Sequence, residues 1–317
     1  MTELTIANAA NWLAGSRFEE LGGGVSNTVI LVESPGTRSV LKQSRGRLRV
    51  EQEWLSDRNR VFRESAAMRW AQGRVRGGRV PRILLEDREN FVIGMEAAPP
   101  DAEMWKAQLF RRVFDALYAE AAGTMLGSLI SSSWNDPEAQ RLFGDQSVFR
   151  QLRIDPYYRF TAEAVPEFAP YLNRVMEHSA ARAVSLVHGD WSPKNLLVSA
   201  GEMWAIDWEV IHFGDPSFDV AFLLNHLLLK SVVMPAHRVA LCELAWAFNT
   251  ALDRALPPDG GWITDAALEH LPALLLARVD GKSPAEYLDE EMRSRARSLA
   301  HSLLRSPAAT ITELFER

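Results

Sequence analysis

A short hairpin next to a polar loop constrains the fold of this chain more than any other segment. The stretch HGDWSPKN ends at Asn195 and precedes two apolar runs, LLV and MWAI, which Ser-Ala-Gly-Glu joins. Two strand-like runs with so short a connection predict a tight antiparallel hairpin. Pairing of Val198 with Met203 would then place Asn195 opposite Ile206.

This register predicts a site at one end of the hairpin. Asp207 follows the second run directly and therefore emerges beside Asn195. Asp190 lies on a loop that Pro193 keeps out of helix and sheet, so its side chain can turn toward the same end. Two carboxylates and an amide oxygen are hard oxygen ligands of the kind that Mg²⁺ prefers.

The N-terminal part of the chain favours a β-sheet with one helical region. Residues 4–14 have helix character, the glycine cluster LGGGVSN leads into a β-branched run, and SVLKQ repeats the strand pattern after a Pro-Gly turn at 35–36. Residues 51–72 contain no proline or glycine, which predicts a long helix or a helix pair. RVPRILLEDRENFVIGMEAAPP predicts two strands around an acidic turn. Its double proline marks the expected boundary between an N-terminal lobe, 1–96, and a C-terminal lobe, 97–317.

Beyond the double proline the apolar periodicity is mainly helical. The clearest helical segments are 110–129, 217–230, 239–252, 265–276 and 284–304. The pattern predicts an α+β protein with a small sheet-containing lobe and a larger helical lobe.

Composition and charge exclude several classes of protein. The net charge of the 317 residues is −6, which disfavours a general nucleic-acid binder with a basic face. The chain has neither a basic-then-apolar start nor about twenty uninterrupted apolar residues, so we expect a cytoplasmic protein without a membrane partner. The single cysteine, Cys242, allows no internal disulfide and no cysteine-based zinc site, and we expect it in the core.

Charge is unevenly divided between the two parts of the chain. Residues 1–96 carry 15 basic and 12 acidic side chains, whereas residues 97–317 carry 20 basic and 29 acidic ones. This asymmetry suits a first part that holds an anion and a second part that receives a neutral or cationic molecule.

Three motifs in the second part carry a resemblance to a known family. HGDWSPKN, followed by IDWE and GDPSFDVA, resembles the catalytic core of the aminoglycoside phosphotransferase, choline kinase and methylthioribose kinase group, the small-molecule branch of the protein-kinase-like fold. The resemblance implies a bilobal fold, with ATP and Mg²⁺ as cofactors. It also implies that Asp190 orients the acceptor hydroxyl as a base, that Asn195 and Asp207 bind the metal, and that His188 supports the loop.

The same resemblance extends to a loop that would cover the nucleotide. LGGGVSNTVILVE resembles the family's glycine-rich loop, where missing side chains let backbone amides approach phosphate oxygens. The residues implied there are Gly22, Gly23, Gly24 and Ser26.

Two further nucleotide contacts follow from the resemblance. Lys42 falls where the family's phosphate-binding lysine falls, and its partner is a helical glutamate, either Glu64 or Glu53. DRNRVFRESAAM resembles the corresponding helix of methylthioribose kinases and favours Glu64. FVIGMEAAPP resembles the family's hinge, where backbone groups at Met95, Glu96 and Ala98 would hold the adenine.

Glu209 has two interpretations. Methylthioribose kinases also have a glutamate two residues after the metal-binding aspartate, and residues two apart in an extended chain project to the same side. Glu209 could therefore join Asp207 as a metal ligand. Alternatively, it pairs with an arginine and shapes the loop.

The sequence thus predicts a small-molecule kinase that phosphorylates a hydroxyl of an aminoglycoside, a sugar or thiosugar, or an amino alcohol, with a cationic acceptor favoured. One alternative is an inactive nucleotide-binding or scaffold protein of the same fold, which the joint presence of Lys42, Asp190, Asn195 and Asp207 disfavours. A protein kinase is disfavoured because no Ala-Pro-Glu segment follows Asp207. VDGKSP is not a P-loop, because the required earlier glycine is Leu276.

Overall fold

The N-terminal lobe is built on one antiparallel sheet. A computed structural model describes residues 1–22, 27–46 and 57–317. The five strands follow the spatial order β1-β2-β3-β5-β4. They are β1 Arg17–Glu20, β2 Asn27–Ser34, β3 Thr37–Ser44, β4 Ile83–Asp87 and β5 Val92–Glu96. The predicted strands, the turn at 35–36 and the acidic turn before β5 are therefore present, with Gly36 in the left-handed region at φ +77°.

Different segments cover the two faces of this sheet. Helix α1, Arg60–Ala71, packs on one face within the main core. The N-terminal segment covers the other face, where Leu4 packs with Ile30 and Leu41. The helix predicted for residues 4–14 was wrong except for one 3₁₀ turn, Ala9–Asn11. Its start is tied to the sheet instead, because the Leu4 N–H donates to Gln43 Oε1 at 2.7 Å.

The C-terminal lobe is mainly helical. Its helices are α2 Trp105–Phe110, α3 Ala116–Ser133, α4 Pro137–Phe143, α5 Ser147–Phe149, α6 Phe160–Ala164, α7 Ala169–Ala180, α8 Ser217–Val233, α9 Arg238–Ala255, α10 Ile263–Asp280, α11 Glu290–Arg305 and α12 Ile311–Glu316. A π-helical segment, Arg150–Arg159, joins α5 to α6. Short 3₁₀ turns lie at Pro166–Phe168, Pro235–His237 and Pro258–Gly260. Within the described ranges no helix combines the length and apolarity needed to cross a membrane.

Two predicted helix boundaries were wrong, and local capping explains both. The segment 110–129 is divided between α2 and α3, because Asp115 caps a new helix by accepting from the Leu117 N–H at 2.9 Å. The segment 284–304 becomes helical only at Glu290, where Asp289 accepts from the Met292 N–H at 2.8 Å.

Five short strands support the polar loop. They are β6 Glu103–Met104, β7 Ser185–Val187, β8 Leu196–Ser199, β9 Glu202–Ala205 and β10 His212–Gly214. Strands β8 and β9 pair antiparallel with Val198 opposite Met203, and the Ile206 N–H donates to the Asn195 carbonyl at 3.0 Å. The predicted hairpin register is therefore confirmed.

A segment before β4 fixes the hairpin against the first lobe. The Arg79 N–H donates to the Met203 carbonyl at 2.7 Å, and the Ala205 N–H donates to the Arg79 carbonyl at 3.0 Å. A Cβ on Gly78 would lie 2.6 Å from the Met203 carbonyl oxygen, so only glycine allows this approach. The contact sets the position of β9, and of the residue that follows it, relative to α1.

Candidate active site

Three charged side chains from three elements meet where the two lobes face each other. Asp207 follows β9 in the left-handed conformation, at φ +65°. Its Oδ1 lies 2.6 Å from Nζ of Lys42, which projects from β3. The same ammonium lies 3.0 Å from Oε1 and 2.7 Å from Oε2 of Glu64 on α1. The angles at the donor and acceptor atoms are those of a hydrogen bond for Oε1, whereas the Oε2 contact is an ion pair without that geometry.

Mutual charge sets the protonation of this trio. Burial alone would lower the pKa of Lys42, but the carboxylates of Asp207 and Glu64 outweigh it and hold this pKa well above its ordinary value. Burial likewise works to raise the pKa of Asp207, and Lys42 and Lys194 reverse that effect and hold it well below its usual range. Burial raises the pKa of Glu64 to about 7, although Lys42 acts in the opposite direction. A charged lysine therefore lies between an ionised aspartate and a more basic glutamate.

The loop that carries Asp190 is held by buried hydrogen bonds. Asp219, at the start of α8, accepts from the His188 N–H at 2.5 Å and from the Gly189 N–H at 2.9 Å. His188 Nδ1 accepts from the Asp190 N–H at 3.3 Å, which leaves Nε2 to donate to the Ile206 carbonyl at 3.2 Å. Burial lowers the pKa of His188 to about 4, so the ring is neutral at pH 7. His188 thus joins the loop to the hairpin.

The carboxylate of Asp190 lies between two cations. Its Oδ2 is 3.0 Å from Arg153 Nη2 and 3.2 Å from Lys194 Nζ. Burial works to raise the pKa of Asp190, and Lys194 and Arg153 outweigh it and lower this pKa. Asn195 Nδ2 donates to the Asp190 backbone carbonyl at 3.0 Å, which turns the Asn195 amide oxygen away from that carbonyl. Asp190 is therefore ionised, and Asn195 presents an oxygen at the end of the hairpin.

Glu209 combines the two interpretations that the sequence leaves open. Its carboxylate belongs to an acidic group with Glu64 and Asp207, in which one oxygen of each lies within 4.8 Å of the others. Its Oε2 also accepts from Asn27 Nδ2 at 2.9 Å and from Arg60 Nε at 3.1 Å. Glu209 therefore lies near the metal ligands that the resemblance implies and is ion-paired with a buried arginine.

The hinge residues follow the end of β5. Met95 is buried in the sheet opposite Val40, and the Glu96 N–H donates to the Arg82 carbonyl at 2.8 Å. The Ala98 carbonyl accepts from Arg38 Nη1 at 2.7 Å. The Ala98 N–H has no hydrogen-bond partner among residues 1–22, 27–46 and 57–317.

The glycine-rich loop is described only at its edge. Gly22 follows β1, next to Leu21, whose N–H donates to the Val29 carbonyl at 2.9 Å. A Cβ on Gly22 would meet no described residue within 4 Å. The other residues predicted for this loop, and the competing partner of Lys42, lie outside the described residues: Gly23, Gly24, Ser26 and Glu53.

Sequence reasoning missed several residues that hold the site. Lys194 and Asp219 stand inside the motifs HGDWSPKN and GDPSFDVA, so their positions were visible although their contacts were not. Arg60 likewise stands inside DRNRVFRESAAM, whereas Arg153 gave no signal, because it reaches Asp190 from a helical segment outside every quoted motif. Trp191 is buried, with its ring edge-on to that of His188 and 5.3 Å away between centroids.

Comparison with solved structures supports the fold. A choline/ethanolamine kinase family protein from Mesorhizobium loti superposes with a TM-score of 0.56 at 15% identity, over 98% of this chain and 96% of that one. An amicoumacin kinase in complex with AMP-PNP and Ca²⁺ gives a TM-score of 0.55 at 15% identity, over 94% of this chain and 91% of that one. These likenesses show the fold, and the predicted bilobal protein-kinase-like architecture is confirmed.

Sequence comparison supports the family. Methylthioribose kinase 1 from Oryza sativa subsp. japonica is 25% identical over 248 residues, which span 69% of this chain but only 57% of the plant protein. The family model described as the phosphotransferase enzyme family matches residues 17–239, well over half of the chain and every motif that carries the resemblance. The chain therefore belongs to the phosphotransferase enzyme family.

Proposed function

We propose that this protein transfers the γ-phosphate of ATP to a hydroxyl of a small molecule, with Mg²⁺ as cofactor. The observation that carries the proposal is the ion-paired trio of Lys42, Glu64 and Asp207 close to the loop of Asp190. Phosphoryl transfer demands mainly positioning and neutralisation of charge, and these residue types supply both.

Asp190 acts on the acceptor. Its ionised carboxylate accepts the hydroxyl proton while the hydroxyl oxygen forms a bond to the γ-phosphorus. The bond from that phosphorus to the bridging oxygen breaks, and ADP leaves with the electron pair. Arg153 and Lys194 hold the Asp190 carboxylate in place and keep it ionised at neutral pH.

The residues at the end of the hairpin fit a magnesium ion. The amide oxygen of Asn195 and the Asp207 carboxylate are hard oxygen donors, and the hydrogen bond from Lys42 goes to the Oδ1 atom of that carboxylate. Glu209 is the candidate third ligand, and its pairing with Arg60 competes with that role. Bound Mg²⁺ would neutralise charge on the phosphates and orient them.

The nucleotide would lie between the lobes. Lys42 contacts its phosphates, and Glu64 holds the lysine in place. The Ala98 N–H is a hinge donor suited to an adenine nitrogen, because no described residue accepts from it. Gly22 to Gly24 and Ser26 would cover the phosphates. The amicoumacin kinase of the same fold was solved with AMP-PNP and Ca²⁺, which supports a nucleotide and a divalent cation in this architecture.

The acceptor class follows from the family. Aminoglycosides, sugars or thiosugars, and amino alcohols are the acceptors that the resemblance implies, and the cytoplasmic location stays a prediction. An inactive scaffold of the same fold is the alternative. The ionised Asp190 carboxylate, which pairs with Arg153, disfavours this alternative.

Release of ADP with and without Mg²⁺, over a panel of these acceptors, tests the proposal. Asp190→Asn should reduce transfer by about two to four orders of magnitude and leave nucleotide affinity nearly unchanged, because the carboxylate acts on the acceptor. Asp155→Asn is the matched control, since Asp155 is exposed and pairs only with Arg159 among its described ion pairs. Transfer at the wild-type rate by the Asp190 variant would refute the role of Asp190 as the base. ATP turnover that does not depend on the Mg²⁺ concentration would refute Mg²⁺ as the cofactor.

A further inference from the structure

A group of cations lies at and near the loop of Asp190. We define the basic cluster as Lys106, Arg153, Lys194, Lys230 and Arg278. Two of their segments contact the loop of Asp190: the Lys106 N–H, at the start of α2, donates to the Pro193 carbonyl at 2.8 Å, and Arg153 Nε donates to the Gly189 carbonyl at 2.6 Å.

Aromatic rings connect the members of the basic cluster. The Tyr157 ring lies 5.8 Å from the Arg153 guanidinium carbon and 5.9 Å from that of Arg278. The Tyr287 ring lies 5.2 Å from Lys106 Nζ and 5.8 Å from Lys230 Nζ. The protein's own cations therefore contact the rings that an acceptor ammonium would need for an aromatic cage.

Few of these cations have a carboxylate at ion-pair distance, although Glu286 also acts on Lys230 and Arg278 from farther away. Among the described residues, only Asp190 and Glu286 form ion pairs with the basic cluster; Asp190 pairs with Arg153 and Lys194, and Glu286 pairs with Lys106. Lys230 and Arg278 are buried without an ion pair to any described acid. Burying an uncompensated cation is costly, and an arginine cannot escape that cost by losing its proton.

Arg278 shows where a counter-charge would bind. Its Nη1 donates to Tyr157 Oη at 3.1 Å, and to the carbonyl and hydroxyl of Ser283 at 2.6 and 3.0 Å. Its Nε is buried, and neither Nε nor Nη2 makes a hydrogen bond to any described residue, although the side chain is only 8% exposed. One edge of the guanidinium is anchored, and the Nε–Nη2 edge, which suits a two-oxygen anion, is unused.

We infer that the acceptor of this enzyme carries an anionic oxyacid group, a carboxylate or a phosphate, which binds the Nε–Nη2 edge of Arg278 while its hydroxyl faces Asp190. This inference rests on the proposed function and specifies its substrate class. It departs from the cationic acceptor that the summed charge of residues 97–317 favours.

The local electrostatics agree with this geometry. Burial would raise the pKa of Tyr157, but Arg278 and Arg153 outweigh it and lower that pKa. Burial, together with the positive charges of Lys106 and Arg278, lowers the pKa of Lys230 to about 7, although Glu286 acts in the opposite direction. A bound anion would relieve this repulsion and favour a charged Lys230.

The test compares related acceptors in which the charge of one substituent changes. Glucuronate, glucose and glucosamine form one set, and glycerate, glycerol 3-phosphate and glycerol form another, so that the second set also separates carboxylate from phosphate. ADP release and thermal stabilisation of the full-length protein are measured for each compound. Hydrogen bonds to a charged partner are strong enough that we expect the anionic members to show KM or Kd values about tenfold to a hundredfold lower than their neutral counterparts.

Two variants and a control locate the effect. The relevant quantity is the KM for a neutral acceptor divided by the KM for its anionic counterpart. Arg278→Gln should reduce this ratio toward one, and Arg278→Lys should leave it between one and the wild-type value. Arg295→Gln, at an exposed arginine of α11 paired with Glu291, should keep the wild-type ratio. Because the ratio in the wild type is itself decisive, the test does not depend on whether the Arg278 variants fold.

The outcomes separate this inference from the proposed function. ADP release with only neutral or cationic compounds would overturn the anionic acceptor and leave phosphotransfer intact. Stabilisation by the anionic probes without phosphotransfer to any of them would support the anion site and count against the proposed function. Equal use of all members, or no stabilisation by any anionic probe, would overturn the inference.

Discussion

Replacement of Glu209 by glutamine distinguishes its two roles, and the structure gives the magnitude. The change keeps the shape of the side chain but removes the charge opposite Arg60, which is 1% exposed. Loss of one partner of a buried ion pair costs about 3–5 kcal/mol, and the lower end applies because the amide oxygen can still accept from Arg60 and Asn27. An unfolding entropy of about 2 cal/mol/K per residue turns about 3 kcal/mol into a fall in Tm of about 4–5 °C.

The assay is a melting curve without nucleotide beside a Mg²⁺ titration of ADP release. We expect Glu209→Gln to lower Tm by this amount and to shift the Mg²⁺ concentration for half-maximal activity by less than about twofold. Glu33→Gln is the matched control: Glu33 also accepts from an arginine Nε, that of Arg38 at 2.8 Å, but both side chains are 25% exposed. A pair that is partly open to solvent, such as this one, contributes closer to the 0–1 kcal/mol of surface pairs, about 1 kcal/mol. An unchanged Tm with a several-fold weaker response to Mg²⁺, partly restored by excess metal, would refute the structural role and make Glu209 a ligand.

Three further predictions concern charge, packing and pH. Lys42→Ala should lower the rate of ADP release by roughly two to three orders of magnitude, because it removes a fixed positive charge from the phosphates; unchanged kinetics would make Lys42 a structural residue. Gly123→Ala should lower the unfolding free energy, measured by urea denaturation, by at least about 1–3 kcal/mol, because its Cβ would lie 2.1 Å from the Phe248 carbonyl oxygen. Gly261→Ala should be nearly neutral, because its Cβ would meet no described residue within 4 Å. Burial lowers the pKa of His212 to about 3, so below its unfolded value of about 6.5 only the unfolded chain binds that proton, and stability falls as the pH falls. His212→Asn should therefore shrink the loss of unfolding free energy between pH 7 and pH 5 by about 2 kcal/mol, and an unchanged loss would contradict a buried neutral ring.

The sequence determined those features that depend on neighbours along the chain. The alternation of LLV and MWAI around a short turn set the register of the hairpin, and with it the proximity of Asn195 to Asp207. The same contiguous motifs identified the family, because the spacing between Asp190 and Asn195 is itself part of the signal. Such features need only local geometry, with a strand period of two and a turn of limited length.

The position of Lys42 and its pairing with Glu64 followed from the resemblance, whereas its contact with Asp207 was not predictable. Asp207 is separated from it by 165 residues, and the two meet only because the segment at Arg79 fixes β9 beside the first lobe. The pairing of Arg60 with Glu209, 149 residues apart, depends on the same arrangement of the lobes. No periodicity or composition encodes such a distance.

Charge was where sequence reasoning was weakest. A count over residues 97–317 gives an excess of acids, yet the side chains around Asp190 and Arg278 are mainly basic. A sum over a lobe does not say which charges lie on its surface and which face the site. Only the tertiary structure decides that, because electrostatic energy depends on separation and burial, and the fold alone brings residues 106, 153, 230 and 278 to one place.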